Sequence, residues 1–490
     1  MLPMSTAWQW SSQECATSVT RAICASLLLA LTLSAEAATI EAGPDIQAAI
    51  RSAESGDTIL VGPGDHSSFE VDRPLTIIGQ GGPVLRARIQ QPAVRIRSDR
   101  VSISGFRIIG VGKDQAAKFD YYMQNPALAA GRRLDLPNAA VLVMGNDVTV
   151  QDTTIFGAQV GVLAEDSDRL KLRNLTLYSC DSGVTLTRCL EGALEGCLFS
   201  GCSKYGLYAD TCQKIKLSGS RFLNTTNAGA LFKGSELCLI EGSVFSGNTF
   251  GLSIWNSTQI LARGNRADHN YYGLLISQSS NNTIIGNVAA DNSREEIVSG
   301  FGVGISLQEN SSENVIAGNT AKGNFNGLEV SKGCRFNVIF GNNATDNSHG
   351  IRMNENRNNL IYCNNLVGNM INAYENDSLN IWNTTLGNHY SDYQGRDEDG
   401  DGLGESPYAL PGGRSHDHHP LMERYATSMI DEASLRHEVG LYATYPPADD
   451  EVPDYRVEEG TIVISSRVPT SPPRWSDSRP LDINKDYAGI

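Results

Sequence analysis

An acidic run near the end of the chain combines residue types and a spacing that suit metal chemistry. The segment DEDGDGLGE places carboxylates at Asp397, Asp399 and Asp401, then glycines, then Glu405. Alternating acids converge on one centre when the chain wraps around it, and hard oxygen ligands suit Ca²⁺ better than a transition metal. We therefore predict a calcium site here, the alternative being an Asp/Gly-rich turn without an ion.

The start of this run also matches the first half of an EF-hand loop. Gly402 takes the sixth position, where such a loop needs a glycine for its sharp turn. Tyr408, however, takes the twelfth position, where a bidentate Glu is expected. The sequence thus argues against an ordinary EF-hand.

Three histidines, His416, His418 and His419, follow the acidic run. Imidazole is a ligand for Cu²⁺ and Zn²⁺, so this group is a second candidate metal site. The alternative is that these are exposed histidines with no ligand. Copper(I) prefers methionine and cysteine, and the methionines are spread out with no paired motif.

A further stretch combines acidic and aromatic side chains near a break in the sequence pattern. Such groups on loops held by a rigid scaffold are typical of binding sites, although adjacent loop acids are often simply solvated. We predict a ligand groove formed by Asp268, His269, Tyr271, Tyr272, Glu295 and Glu296.

These groups are all attached to a repeat of 22 or 23 residues. Its units open with GLSIW at Gly251, GLLIS at Gly273, GISLQ at Gly304, GLEVS at Gly327 and GIRMN at Gly350. Apolar residues alternate over very short runs, which is strand spacing with one face inward. Stacked units of this length bury their apolar faces only together, so we predict an all-β protein, a parallel β-helix.

Asparagines recur at matching places in successive units. Asn tolerates the left-handed backbone of a bend, and stacked amides bond along a ladder, so we interpret both series as structural. The first series is Asn265, Asn287, Asn319, Asn342 and Asn364, and the second is Asn248, Asn270, Asn292, Asn324, Asn347 and Asn369.

The cysteines cluster in the regular coils. Cys189 and Cys212 each stand six residues after the glycine that opens their coil, and Cys180 and Cys202 are also near alignment. Stacked strands lie within the Cα separation that a disulfide accepts, so we predict the bonds Cys189–Cys212 and Cys180–Cys202. Buried free cysteines acting as small hydrophobic residues are the alternative. No Cys-x-x-Cys motif occurs, which argues against zinc or iron–sulfur sites.

The chain divides into four parts. Residues 1–37 read as a secretory signal peptide, with an uncut membrane anchor as the alternative. Residues 38–386 form the β-helix, with a capping helix that starts at Pro44-Asp45 and ends at Gly56, and with side loops at 111–138 and 293–302. Residues 387–422 carry the acidic motif, and residues 423–490 form a Pro-rich, acidic tail.

The composition limits the partners. The formal charge is −16 with 40% hydrophobic and 19% charged residues, and nothing resembles a basic patch, so a nucleic acid or an anionic membrane is disfavoured. No second hydrophobic segment follows the leader. We therefore expect no membrane span in the mature chain and a secreted, periplasmic or cell-surface location, with a glycan or an envelope protein as partner.

The Gly-Ile/Leu…Asn coils, followed by NHYSDYxGxDxDGDGxGExPY and DHHPLM, resemble NosD-type β-helix proteins, whose coils belong to the carbohydrate-binding and sugar-hydrolase group. The resemblance covers roughly Asp45 to Met422. It implies a right-handed, pectin-lyase-like helix and an exported, copper-binding accessory protein that acts with an ABC transporter to mature nitrous oxide reductase. Copper enters only through this resemblance, and His389 and His418 stand where relatives more often carry aromatic residues.

Three functional classes remain open. The first, which we favour, is a non-catalytic exported protein that binds a glycan, a metal ion or a protein as an accessory, maturation or surface factor. The second is a polysaccharide lyase, epimerase or glycoside hydrolase on the same fold, which would need ionisable groups facing one groove. Only Asp268, Asp291 and Asp346 come near to stacking, and they drift in register. The third class is a structural component of the cell surface.

Overall fold

The computed structural model describes residues 37–89, 91–112, 138–293, 301–427 and 430, and the strands Tyr455–Glu458 and Thr461–Ile464. The predicted signal peptide, most of both predicted side loops and most of the tail lie outside these residues. Glu295 and Glu296 of the predicted groove lie outside them as well.

The described chain contains one short helix and 46 strands. The helix is α1, Ile46–Ser52. The strands are β1 Thr39–Ala42, β2 Thr58–Val61, β3 Asp65–His66, β4 Phe69–Val71, β5 Thr76–Gly79, β6 Val84–Arg86, β7 Val94–Ile96, β8 Ser102–Ser104, β9 Arg107–Ile109, β10 Ala139–Val143, β11 Thr149–Gln151, β12 Thr154–Phe156, β13 Val160–Glu165, β14 Lys171–Arg173, β15 Thr176–Tyr178, β16 Ser182–Thr187, β17 Ala193–Glu195, β18 Leu198–Ser200, β19 Tyr205–Asp210, β20 Lys216–Ser218, β21 Arg221–Leu223, β22 Ala228–Lys233, β23 Leu239–Glu241, β24 Val244–Ser246, β25 Phe250–Trp255, β26 Leu261–Arg263, β27 Arg266–Asp268, β28 Tyr272–Ser277, β29 Thr283–Ile285, β30 Val288–Ala290, β31 Val303–Gln308, β32 Val315–Ala317, β33 Thr320–Lys322, β34 Asn326–Ser331, β35 Val338–Phe340, β36 Asn343–Thr345, β37 His349–Asn354, β38 Arg357–Tyr362, β39 Asn365–Val367, β40 Ile371–Asn376, β41 Leu379–Ile381, β42 His389–Tyr390, β43 Tyr408–Ala409, β44 His416–Asp417, β45 Tyr455–Glu458 and β46 Thr461–Ile464.

Three long parallel sheets run the length of the molecule. Sheet A has 15 strands from β1 to β41, sheet B has 14 from β3 to β42, and sheet C has 13 from β4 to β40, each sheet taking every third strand through the regular coils. In the regular coils, a six-residue strand of sheet C is followed by three-residue strands of sheets A and B. The prediction of an all-β parallel β-helix is confirmed.

The core consists of identical or similar side chains stacked from coil to coil. Leu252, Leu274 and Ile305 occupy one inward column of sheet C, and each is at most 1% exposed. In sheet B, Phe222 stacks on the rings of Phe199 and Phe245 with centroid separations of 4.5 and 5.0 Å. Each coil thus buries its apolar residues against its two neighbours, as the repeat spacing predicts.

Buried asparagines form hydrogen-bonded ladders along the helix axis. The backbone N–H and the side-chain Nδ2 of Asn319 donate to Oδ1 of Asn342 at 2.9 and 3.0 Å. Asn342 Nδ2 in turn donates to Oδ1 of Asn364 and to the carbonyl of Ile316, at 2.9 and 2.8 Å. Both predicted series form such ladders, which we call ladder 1 (Asn265 to Asn364) and ladder 2 (Asn248 to Asn369). The sequence analysis missed ladder 3, which is Asn282, Asn314, Asn337, Asn359 and Asn380.

The backbone role predicted for these asparagines is wrong. The left-handed conformation belongs to the residue before each rung, such as Gly341 with φ 58°, Asp346 with φ 56° and Phe336 with φ 59°. That residue turns the chain, so the next side chain points inward, where its amide can align with the helix axis.

A helix and a side-chain amide close the N-terminal end. Asp45 caps helix α1 by accepting from Gln47 N at 3.0 Å, and Ile46 and Ile50 are buried against the first coils. The Gln47 side chain donates to the carbonyl of Glu70 at 3.1 Å and accepts from its N–H at 2.8 Å. This satisfies the open edge of β4, the first strand of sheet C. The predicted cap is confirmed, although the helix ends at Ser52 rather than near Gly56.

Carboxylates close the other end. The donors of each ladder point toward the C-terminus, so the last rung needs an acceptor. Each ladder ends on a different acid, with donor to acceptor distances of 2.7 Å for Asn388 N to Asp417, 2.9 Å for Asn380 Nδ2 to Glu375, and 2.6 Å for Asn372 Nδ2 to Asp392. Asn388 and Asn372 extend ladders 1 and 2 by one residue beyond the predicted series.

The described start of the tail packs across the outer faces of sheets A and B, since Phe340 lies in β35 of sheet A and Asn365 in β39 of sheet B. Tyr425 N donates to Asn365 Oδ1 at 2.8 Å, and Asn365 Nδ2 donates to the carbonyl of Tyr425 at 2.9 Å. The side chains of Tyr425 and Ile430 pack beside Phe340. Within the described residues, no helix has the length and apolar character that crossing a membrane requires.

We expect Asn342→Ala to lower the free energy of unfolding by about 3 kcal/mol, because it leaves two buried donors of Asn319 and the carbonyl of Ile316 without partners. The matched control is Asn354→Ala, which removes a partly exposed amide on the outer face of sheet C and should cost less than about 1 kcal/mol. Urea unfolding monitored by circular dichroism measures both. Equal stability of the two variants would contradict a structural role for the ladder.

Candidate functional site

The outer face of sheet C changes character along the helix. In the early coils its outward positions are apolar, as at Ala139, Leu142, Val160 and Leu163. In the later coils the same columns become polar. The register aligns Tyr272, Val303, Asn326 and His349 in one column, and Leu275, Ser306, Glu329 and Arg352 in the next.

A polar cluster, defined as Tyr272, Gln308, Asn326, Glu329, His349 and Arg352, occupies this part of the face. The Asn326 amide donates to Glu329 Oε2, and Arg352 Nη1 lies 3.9 Å from the same oxygen. The Glu329 side chain is 13% exposed and that of Arg352 is 34% exposed. The carboxylate therefore lies deeper than the guanidinium.

Two buried polar atoms of the cluster have no hydrogen-bond partner among the described residues. They are Oδ1 of Asn326 and Nδ1 of His349. Burial, together with the charge of Arg352, lowers the pKa of His349, so its imidazole is neutral at neutral pH. Burial also raises the pKa of Tyr272, against a hydrogen bond from Gln308. Buried polar groups are normally paired, so these two atoms mark a place where a ligand would supply the partners.

An aromatic row, defined as Phe301, Phe325, His349 and Tyr374, runs along the same face across the coils. Successive ring centroids are 4.6, 5.5 and 5.8 Å apart. Phe301 remains 47% exposed. A row of rings beside hydrogen-bonding groups offers both an apolar surface and orientation, which is what a small-molecule or saccharide site needs.

The structure divides the predicted groove. Tyr272 belongs to the polar cluster, and Tyr271 touches it edge-on at 5.0 Å. Asp268 lies instead in sheet B, where Arg266 donates to it at 2.6 Å and His269 lies 3.4 Å away. Burial opposes the charged form of Asp268, but hydrogen bonds from Ser246 and Arg266 outweigh it and lower its pKa. Its surroundings are thus those of a structural ion pair.

Register explains why the acids of sheet B form no stack. Asp268 aligns with Ala290 and, in the next coil, with Lys322. Asp291 and Asp346 lie one position further along their coils, as expected from the drift in the sequence. Glu329 and Arg352 were not predicted from the sequence, although each stands two residues after the glycine that opens its coil, where the coils of Gly251, Gly273 and Gly304 carry Ser or Leu.

The acidic motif gathers three of its four predicted ligands. Carboxylate oxygens of Asp397, Asp399 and Glu405 lie within 4.8 Å of one another. Asp397 accepts from the N–H groups of Gly400 and Gly402, at 2.6 and 3.0 Å, which fixes the turn. Asp401 is not in this group, and its carboxylate accepts from Leu403 N at 2.8 Å.

The three histidines of the second predicted metal site do not come together in the described residues. In that part of the chain, the one group with three possible metal ligands within reach of each other is Asp397, Asp399 and Glu405. The rings of His416 and His418 are 5.9 Å apart, and burial, followed by the charge of His418, lowers the pKa of His419. Asp417, which stands between His416 and His418 in the sequence, is fully buried. Burial raises its pKa to about 7, although hydrogen bonds from Asn388, His419 and Tyr390 act in the opposite direction.

The two predicted disulfides are not present, and Cys180, Cys189, Cys202 and Cys212 are buried free thiols. The pairs do align: Cys189 hydrogen-bonds to Cys212, and Cys202 stacks on Cys180. All four of these cysteines lie in the bends between strands rather than within a strand. Burial raises the pKa of Cys180 to about 11, as for an inert core thiol.

Two family models match the chain. Residues 222–395 match the family described as "Periplasmic copper-binding protein (NosD)", and residues 138–289 match "Right handed beta helix region". No curated protein matches the chain.

Solved structures match at low identity. DFA-IIIase from Arthrobacter chlorophenolicus A6 in complex with GF2 has a TM-score of 0.48 and 15% identity, over 63% of this chain and 94% of that one. The family 28 exopolygalacturonase of Yersinia enterocolitica has a TM-score of 0.44 and 12% identity, over 71% and 79%. The A-module of the mannuronan C-5 epimerase AlgE6 from Azotobacter vinelandii has a TM-score of 0.37 and 13% identity, over 71% and 95%.

The coils and the ladders therefore agree with the family models, and the acidic run of residues 397–405 begins just after the residues that the NosD model matches. The chain is a right-handed parallel β-helix protein whose residues 222–395 match the NosD family.

Proposed function

We propose that this chain is an exported NosD-type β-helix protein that binds a saccharide on the outer face of sheet C and serves as an accessory or surface factor. The observation that carries the proposal is a pair of buried atoms beside the aromatic row, Asn326 Oδ1 and His349 Nδ1, that have no hydrogen-bond partner in the part of the chain that the structure describes. Sugar hydroxyls can donate to and accept from such atoms, while the apolar face of a sugar ring packs on an aromatic ring. A purely structural surface component has no use for this arrangement.

The polar cluster supports binding better than hydrolysis. Glycoside hydrolysis generally needs two carboxyl groups that flank the scissile bond. Among the described residues of the cluster, Glu329 is the one carboxylate, and the Asn326 amide already holds it.

A second candidate is elimination or epimerisation on a uronate. That chemistry needs a base and a group that neutralises the sugar carboxylate. A neutral His349 and the cation of Arg352 supply groups of this kind on one face. The experiment therefore measures both saccharide binding and turnover.

For the saccharide, we expect the protein to retain ligands on a glycan array without turning them over. Asn326→Ala should weaken binding by about threefold to tenfold, because one hydrogen bond is lost. Asn354→Ala, on the same face but outside the cluster, should bind like the wild type. Parallel assays should show no new reducing ends and no unsaturated uronate ends. Turnover would overturn the non-catalytic assignment, and an array without any bound glycan would overturn saccharide binding.

The acidic motif is the second part of the proposal. We assign Ca²⁺ to Asp397, Asp399, Asp401 and Glu405, supported by the approach of three of these carboxylates and by the rigid turn around Asp397. Ligand sets made only of oxygen favour Ca²⁺ over a transition metal. Copper enters through the description of the NosD family, with His416, His418 and His419 as the residues available for it.

For the metals, we expect titration calorimetry to detect Ca²⁺ binding that Asp399→Ala weakens by about tenfold or more, because a charged ligand is lost. Asp65→Ala, an exposed acid at the opposite end of the solenoid, is the control. Cu²⁺ should also give a heat of binding. His418→Ala should remove this heat, whereas Asp399→Ala and Asp65→Ala should retain it. Unchanged Ca²⁺ affinity in Asp399→Ala would contradict the calcium assignment, and an absence of heat with Cu²⁺ would remove copper from the proposal.

A further inference from the structure

Arg352 has binding capacity that the described protein leaves unused. A guanidinium carries five N–H donors in a planar fork. Its ion-pair partner among the described residues is Glu329, at 3.9 Å, the far limit for such a pair. The same Glu329 oxygen already accepts from the Asn326 amide. One oxygen of the Glu329 carboxylate is thus already hydrogen-bonded to Asn326, and the charge of Arg352 is only weakly neutralised.

The positions of the two charged side chains, Arg352 and Glu329, favour binding of an anion from solution at Arg352. Arg352 is 34% exposed whereas Glu329 is 13% exposed, so the cation faces the side from which a ligand approaches. Two side chains of the polar cluster add hydrogen-bonding atoms beside Arg352. Asn326 offers the acceptor Oδ1, and the neutral imidazole of His349 offers Nδ1. A planar carboxylate matches the guanidinium fork in two parallel hydrogen bonds.

We infer that the outer face of sheet C selects acidic saccharides, those that carry a uronate or a similar carboxylate, and that Arg352 is the residue that makes this selection. The inference rests on the proposed saccharide binding and adds the class of sugar. The ligand carboxylate pairs with Arg352, while sugar hydroxyls satisfy Asn326 and His349. Glu329, 3.9 Å from the guanidinium, supplies a weak counter-charge when no ligand is bound.

The test compares an oligogalacturonate with its carboxyl-reduced, neutral counterpart. We expect the wild type to bind the acidic oligomer about tenfold or more tightly than the neutral one, the factor that one charge-assisted hydrogen-bond pair provides. Arg352→Gln should remove this preference, because it weakens binding of the acidic oligomer more than binding of the neutral one. Glu329→Gln should keep or increase the preference, because it removes a competing negative charge. Arg173→Gln, an exposed arginine of sheet A, is the matched control.

A fold check accompanies the binding data. The charge of Arg352 contributes to the lowered pKa of His349, so an NMR titration should show that pKa rising in Arg352→Gln if the variant is folded. Equal affinity of the wild type for both oligomers, or an equal loss for both in a folded Arg352→Gln, would overturn the inference and leave saccharide binding in place. A wild type that binds neither these oligomers nor any glycan on the array would overturn both.

Discussion

The asparagine ladders are the interaction on which the rest of the structure depends. Each rung accepts two hydrogen bonds from the coil before it and donates to the coil after it, as at Asn342. The ladder is therefore directional, and in the apolar core it is favourable only if no donor is left unpaired at its end. The three ladders solve this with three carboxylates, Asp417, Glu375 and Asp392. A solenoid that could in principle continue thus has a defined C-terminal end.

This requirement gives the terminal motif a structural meaning. In DHHPLM, Asp417 is the buried acceptor for ladder 1, and its histidine neighbours provide backbone contacts, such as His419 N to Asp417 at 3.0 Å. The acidic loop is attached to the same place, because Gly404 N donates to the carbonyl of Pro420 at 2.9 Å and Met422 N to that of Gly402 at 3.0 Å. An ion in the proposed calcium loop would therefore stabilise the segment that ends the ladders, since metal binding is linked to folding.

The regular interior leaves the outer faces free to vary. Along sheet C, the inward columns stay apolar from coil to coil until Glu375 follows Met353 in the last strand, while the outward columns pass from Leu142 and Leu163 to Glu329 and Arg352. A substitution on the outside does not disturb the stacking of the core, so chemistry can accumulate there at small cost in stability. This is why the proposed binding face lies within the repeat itself as well as at the breaks in its spacing.

The sequence by itself determined the fold, because a parallel β-helix repeats its signal in every coil: the glycine, the alternating apolar pairs and the asparagines of ladders 1 and 2. It also located the capping helix and the acids of the loop, since these are local patterns. Only the tertiary structure decided the rest. Glu329 and Arg352 are 23 residues apart in sequence and become neighbours through the register of sheet C. Asn388 meets Asp417 only because the chain folds back over the last coil. The aligned cysteines lie in the bends between strands, and there they remain thiols. The periodic pattern specifies which positions stack, but whether stacked side chains pair, bond or stay open depends on distances and directions that a one-dimensional pattern does not contain.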